Sequence, residues 1–222
     1  MRTNLRWAGE GQVLTSSDFS SLVIDSLCDR AGGQEVAVAC FYFDFAGRKE
    51  QSPTSALGAL LKQLVRGLEE TPREISLAYR GQKNVLGRRG LQPADIVKML
   101  QATASRKRTF ICIDALDECV AGYRVKILDS LNKVLQRSPG TRIFVTGRPH
   151  IQAEVGKRLS GRITTIHITP QRHDIIGYLH TRLEEDTTPH AMDSNLRRDI
   201  LKKIPEVTSE MYVEAMTPQK LV

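Results

Sequence analysis

The chain has 222 residues, 41% of them hydrophobic and 26% charged, with a formal net charge of +7, enough apolar material for one main domain plus extensions. No apolar run reaches about 18 residues, and Met1-Arg-Thr-Asn-Leu-Arg-Trp7 lacks the apolar centre of a secretory signal. No membrane-spanning helix and no secretory signal are read, and a soluble, cytoplasmic chain without a membrane partner is expected.

In chain order, residues 1–17 are polar and irregular, and Asp18 to Cys28 predicts a helix. Ser17 or Asp18 is its N-cap, and Phe19, Leu22, Val23 and Leu27 share one side. Val36-Ala-Val-Ala-Cys-Phe-Tyr-Phe-Asp-Phe45 is a nearly unbroken apolar run, the pattern of a strand central in a parallel sheet. Ser52-Pro53 opens a helix bearing Leu57, Leu60, Leu61, Leu64, Val65 and Leu68 at core spacing. A short helical piece at 73–79 and a Gly/Arg/Lys/Asn-rich loop through Gly90 lead to a helix from Pro93.

From Thr109 the order becomes strand (109–114), helix (121–137), strand (142–146), short helix (149–158), strand (163–168) and helix (172–185). Such alternation with short connections predicts an α/β doubly wound parallel sheet. Residues 187–195 read as a polar linker and 196–204 as a last helix, after which periodicity is lost from Thr208. Cys28, Cys40, Cys112 and Cys119 form no closely spaced pair, so neither zinc nor disulfides are implied. The basic residues fall in short clusters without interleaved aromatics, which argues for solvated faces over nucleic-acid binding.

The chemistry is concentrated in Thr109-Phe-Ile-Cys-Ile-Asp-Ala-Leu-Asp-Glu-Cys119, an apolar strand running into three carboxylates. In P-loop hydrolases an aspartate at this strand end meets magnesium bridging the phosphates, and an acid a few residues on orients the attacking water. Asp114 is accordingly the candidate metal residue, and Asp117 and Glu118 the candidate catalytic acids. The competing reading is an acidic helix start that favours the helix dipole. Arg142-Ile-Phe-Val-Thr-Gly-Arg-Pro-His150 adds a strand whose end would bring Thr146 and Arg148 to the same edge. There Arg148 would either contact the terminal phosphate or pair with Asp114 or Asp117.

With Val38 to Phe45, Leu57 to Leu64 and Asp174-Ile-Ile-Gly-Tyr-Leu179, these segments resemble a fungal NACHT domain, the signal-transducing branch of AAA-like ATPases also found in nephrocystin-like proteins. The resemblance spans residues 18 to 204. It implies a P-loop NTPase sheet that binds ATP or GTP with Mg2+ and hydrolyses it slowly. It also implies a switch between an N-terminal signalling domain and C-terminal ankyrin, WD or TPR repeats, with protein partners.

The phosphate-gripping run Gly-x-x-x-x-Gly-Lys-Ser/Thr occurs nowhere. Where the family would carry it, Gly11-Gln12-Val13 puts an amide for the lysine and a methyl for the hydroxyl, and the first glycine falls on Arg6. Gly11 and Gln12 are thus the candidates for a degenerate phosphate loop. Domains are read as an irregular segment at 1–17, a NACHT-like domain at 18–186, and a linker, helix and tail at 187–222. The expectation is an N-terminally incomplete fold, a fragment with weak or no ATP or GTP binding, for which hydrolysis is not predicted. The alternative is a non-catalytic interaction scaffold, whose open sheet edge would favour self-association.

Overall fold

The structure, a computed structural model, describes residues 16–31, 36–47, 49–73, 75–77, 91–159, 161–168, 172–185, 192–207 and 211–217. The elements are α1 (Ser16–Ala31), β1 (Val36–Tyr42), α2 (Pro53–Arg66), α3 (Pro93–Ala104), β2 (Arg108–Asp114), α4 (Ala121–Arg137), β3 (Thr141–Gly147), α5 (Gln152–Arg158), β4 (Arg162–Ile168), α6 (Arg172–Glu184), α7 (Ser194–Val207) and β5 (Met211–Thr217). Short 3-10 turns at Leu116–Glu118 and Pro149–Ile151 precede α4 and α5.

The described residues of 16–167 with 211–217 form one compact unit, and those of 168–207 another. In the second, α6 packs against α7 and buries Ile175 and Leu179. The first holds a five-stranded sheet in the order β1-β2-β3-β5-β4. β1, β2 and β3 are parallel and in register, Val36 opposite Arg108 and Thr109 opposite Thr141, so their carboxyl ends finish at one edge.

Alternation divides the side chains of these strands between two faces. Ala37, Ala39, Ile111, Ile113, Ile143 and Val145 join the main core with leucines of α2 and α4, including Leu57, Leu60, Leu128 and Leu131 at 0% exposure. Each fully buried leucine stabilises by about 2 kcal/mol. On the other face α1 packs on β1, β2 and β3. Helices on both faces give the expected doubly wound α/β arrangement, compatible with the P-loop NTPase type.

At α2, Pro53 takes the first helical position and Ser52 Oγ accepts the Ser55 N–H at 3.2 Å. Such a cap is worth about 1 kcal/mol.

Three sequence expectations are corrected. β1 is the edge strand, not a central one. Its apolar run reflects helices covering both faces, and its free backbone is met by Gln63 on α2, whose amide accepts the Cys40 N–H at 3.0 Å and donates to the Cys40 carbonyl at 2.8 Å. A side chain thereby does for the edge what a neighbouring strand would do. The tail carries a strand, β5, which pairs antiparallel with β3 from Ile143↔Met216 to Gly147↔Tyr212. It lies beside β3 in the sheet, where the sequence reading saw only a tail without periodicity.

The third concerns α1. Leu22, placed on its apolar side, is 45% exposed, while Ser20 is buried. Among the described residues no helix is long and apolar enough to cross a membrane.

Candidate nucleotide and metal site at the carboxyl edge

β2 delivers Asp114 to the carboxyl end of the sheet, where it is 3% exposed. A carboxylate so placed needs hydrogen-bond donors to remain charged. Two hydroxyls supply them: Ser20 Oγ on α1 and Thr146 Oγ1 on β3 each donate to Asp114 Oδ1 at 2.5 Å. Thr146 Oγ1 in turn accepts the Ala115 N–H at 2.9 Å. One carboxylate oxygen therefore joins α1, β2 and β3, the three elements that end there.

Immediately after Asp114 the backbone turns through the left-handed region at Ala115, with φ 49° and ψ 44°. For a residue with a Cβ this costs about 1–2 kcal/mol. The Thr146 bond and the complete burial of Leu116 hold the turn. Its consequence is that the next two carboxylates diverge. Glu118 Oε2 accepts the Phe45 N–H at 2.8 Å, tying the motif to the loop after β1.

Asp117 turns toward the end of β3. Its Oδ1 accepts the Arg148 N–H at 3.3 Å and its Oδ2 lies 3.5 Å from Arg148 Nε. Gly147 permits this approach, because a Cβ there would stand 3.4 Å from Asp117 Oδ1 and 3.0 Å from Ile151 Cδ1.

Beside these groups lies an open cleft of about 570 Å³, lined among others by Phe45, Lys49, Asp117, Glu118, Val120 and Tyr123. Asp114 does not line it. Of the residues chosen from sequence, Asp114, Asp117, Glu118, Thr146 and Arg148 meet at one edge, and the Arg148 guanidinium takes Asp117 as its partner. Gly11 and Gln12 lie outside the described residues.

Ser20 was missed. In a phosphate loop the hydroxyl is marked by the Gly-Lys pair before it, whereas the serines of Ser16-Ser17-Asp18-Phe19-Ser20-Ser21 fall at the start of the helix without one.

The family model described as Nephrocystin 3, N-terminal matches residues 16–148, more than half of the chain. The chain belongs to this family. The match begins with α1 and ends on Arg148, so the nephrocystin 3 N-terminal region contains every residue of the carboxyl edge described above. No curated protein matched the chain.

The donors that this nephrocystin-type region gathers are oxygens, the kind a hard cation such as Mg2+ takes. Among the described residues there is no group of three or more His, Cys, Asp or Glu side chains able to hold a metal. Mg2+ ordinarily completes its octahedron with phosphate and water, so Asp114 and the Ser20 hydroxyl fit in kind as a minor share of its ligands.

The buried thiols play no comparable part. Burial, reinforced by Cys40 and Cys28, pushes Cys112 up to about 12. Burial raises Cys119 to about 11 against the opposing effect of Arg124. Burial therefore keeps both protonated at neutral pH, and neither is an activated nucleophile.

Proposed function

We propose that this nephrocystin-type domain is a NACHT-type nucleotide-binding fold used as a signal-transduction module, with weak or no binding of ATP or GTP. The observation that supports this reading is the Asp114 carboxylate, held by Ser20 and Thr146 at the carboxyl end of a strand flanked by two parallel neighbours.

A bound magnesium nucleotide would supply phosphate oxygens and a cation to this edge. Ser20 and Asp114 would be the residues that offer oxygens to the cation. Asp117 or Glu118 would orient the attacking water, and Thr146 would keep Asp114 in place. Arg148 would face the terminal phosphate.

Each role competes with a contact already made. Asp114 Oδ1 is occupied by two hydroxyls, and Asp117 holds Arg148. The sequence also lacks the glycine-lysine pair that grips phosphates. A charge-assisted contact of this kind is worth about 1.5–3 kcal/mol, roughly ten- to a hundredfold in affinity.

Isothermal titration with Mg-ATP and Mg-GTP is therefore expected to give dissociation constants weaker than about 100 µM. A low-micromolar constant that disappears in Ser20→Ala or Asp117→Asn would overturn the weak-binding part of the proposal and leave a working nucleotide site.

A second reading, a protein-interaction scaffold, draws on the cleft itself. Phe45 is 61% exposed and Val120 38% exposed along its lining. Absence of heat with both nucleotides, in a sample whose circular dichroism is that of an α/β fold, favours this reading.

A further inference from the structure

At the opposite ends of β2 and β3 lies a second cleft, of about 530 Å³, whose lining includes five basic residues: Arg106, Lys107, Arg108, Arg137 and Arg142. A seven-residue strand spans about 20 Å, so this cleft is remote from the carboxylate edge.

Elsewhere in the described residues cations find acids. Arg124 pairs with Glu154 at 2.8 Å, Arg158 with Asp129 at 2.9 Å, and Lys203 with Asp199 at 2.8 Å. None of the five cleft cations takes part in a salt bridge among the described residues.

A structural reason accounts for part of the clustering. The helices α3 and α4 end here, at Ala104 and Arg137, and each C-terminus carries roughly half a negative charge. Two such ends offset about one of the five charges, leaving roughly four without a counter-charge among the described residues.

Three of the five cations are also held in place. Arg142 donates to the Pro139 and Thr141 carbonyls at 3.0 Å each, Lys107 Nζ donates to the Gly67 carbonyl at 3.4 Å, and the Arg108 guanidinium lies 5.4 Å from the Phe110 ring centroid. Between Gly140 and Arg142, Thr141 Oγ1 is a buried side-chain oxygen with no hydrogen-bond partner.

We propose that this cleft binds a small anion bearing clustered phosphates. Several fixed cations around a concavity hold such a ligand better than a single carboxylate, because guanidinium forks match phosphate oxygens pairwise. The same chemistry is offered by a free polyphosphate and by a phosphoinositide headgroup.

The test uses two probes on the full chain, inorganic tripolyphosphate by calorimetry and phosphatidylcholine vesicles with or without phosphatidylinositol bisphosphate by cosedimentation. The result expected is saturable one-to-one binding of at least one probe at near-physiological salt, weakened about tenfold or more in the double variant Arg106→Gln with Arg137→Gln. The single variant Arg142→Gln should weaken it too. Lys157→Gln, at an exposed position of α5, should leave it unchanged. Binding of tripolyphosphate alone assigns a soluble ligand, and binding of the phosphoinositide vesicles alone assigns a membrane one.

Failure of both probes overturns the proposal. So does equal weakening by Lys157→Gln. Tighter, steeply salt-dependent binding of a DNA duplex would overturn it in favour of nucleic acid.

Discussion

The two ends of the parallel strands hold charge by opposite means. At the carboxyl end Asp114 is buried and takes two hydroxyl donors, Asp117 takes Arg148, and Glu118 takes a backbone N–H. At the amino end five cations gather around a cleft without an acidic partner among the described residues. The carboxylates are thus part of what holds the fold together, whereas the cations are tolerated by it. Satisfied buried charge costs stability when removed, and unsatisfied surface charge does not.

Asp114→Ala should break this contrast most severely. It strands two buried hydroxyls and unties α1 from β3, and we expect about 3 kcal/mol of destabilisation, read as a fall in the urea midpoint at constant slope. An unchanged midpoint would mean that the carboxylate contributes nothing to the fold.

Alkaline pH offers a second, graded test, because Cys112 lies on β2 two residues before Asp114 and Cys119 follows Glu118. Both thiols are raised from 9.0, Cys112 to about 12 and Cys119 to about 11. Above pH 9 the unfolded chain releases protons that the folded chain retains, so stability is full below about pH 9 and declines toward pH 11 to 12. For each thiol the slope approaches about 1.4 kcal/mol per pH unit. Burial also raises Cys40 and Tyr42, so Cys112→Ala should reduce that slope between pH 9 and 10.5 without abolishing it, and an identical slope would exclude the thiol as a source.

The smallest effect is expected at the amino end. Arg106→Gln with Arg137→Gln should change stability by no more than about 0.5 kcal/mol, with any gain largest at low salt, where like charges repel most. A loss above about 1 kcal/mol would show these arginines to be structural and erase the difference between the two ends.

Much of the carboxyl edge was legible because it follows from local pattern. Two apolar runs, each ending in a polar residue, must bring Asp114 and Thr146 together if the strands are parallel and in register, as they are. Ser52-Pro53 likewise announced the start of α2 from residues in contact along the chain. Ser20 was not singled out, since its partner is 94 positions away and the serines around it at the start of α1 look alike in sequence. Nor was the edge position of β1, because an apolar run reports how well a strand's faces are covered and says nothing of what borders it.

The sequence by itself determined the alternation of strands and helices and the chemistry gathered at the end of β2, since both depend on side-chain period and residue type within short windows. Tertiary structure alone decided which strand lies at the edge, that β5 enters antiparallel beside β3, that a serine of α1 completes the Asp114 cluster, and that scattered arginines share one cleft. These are pairings between residues far apart in the chain, set by how packed layers meet and not by any local propensity.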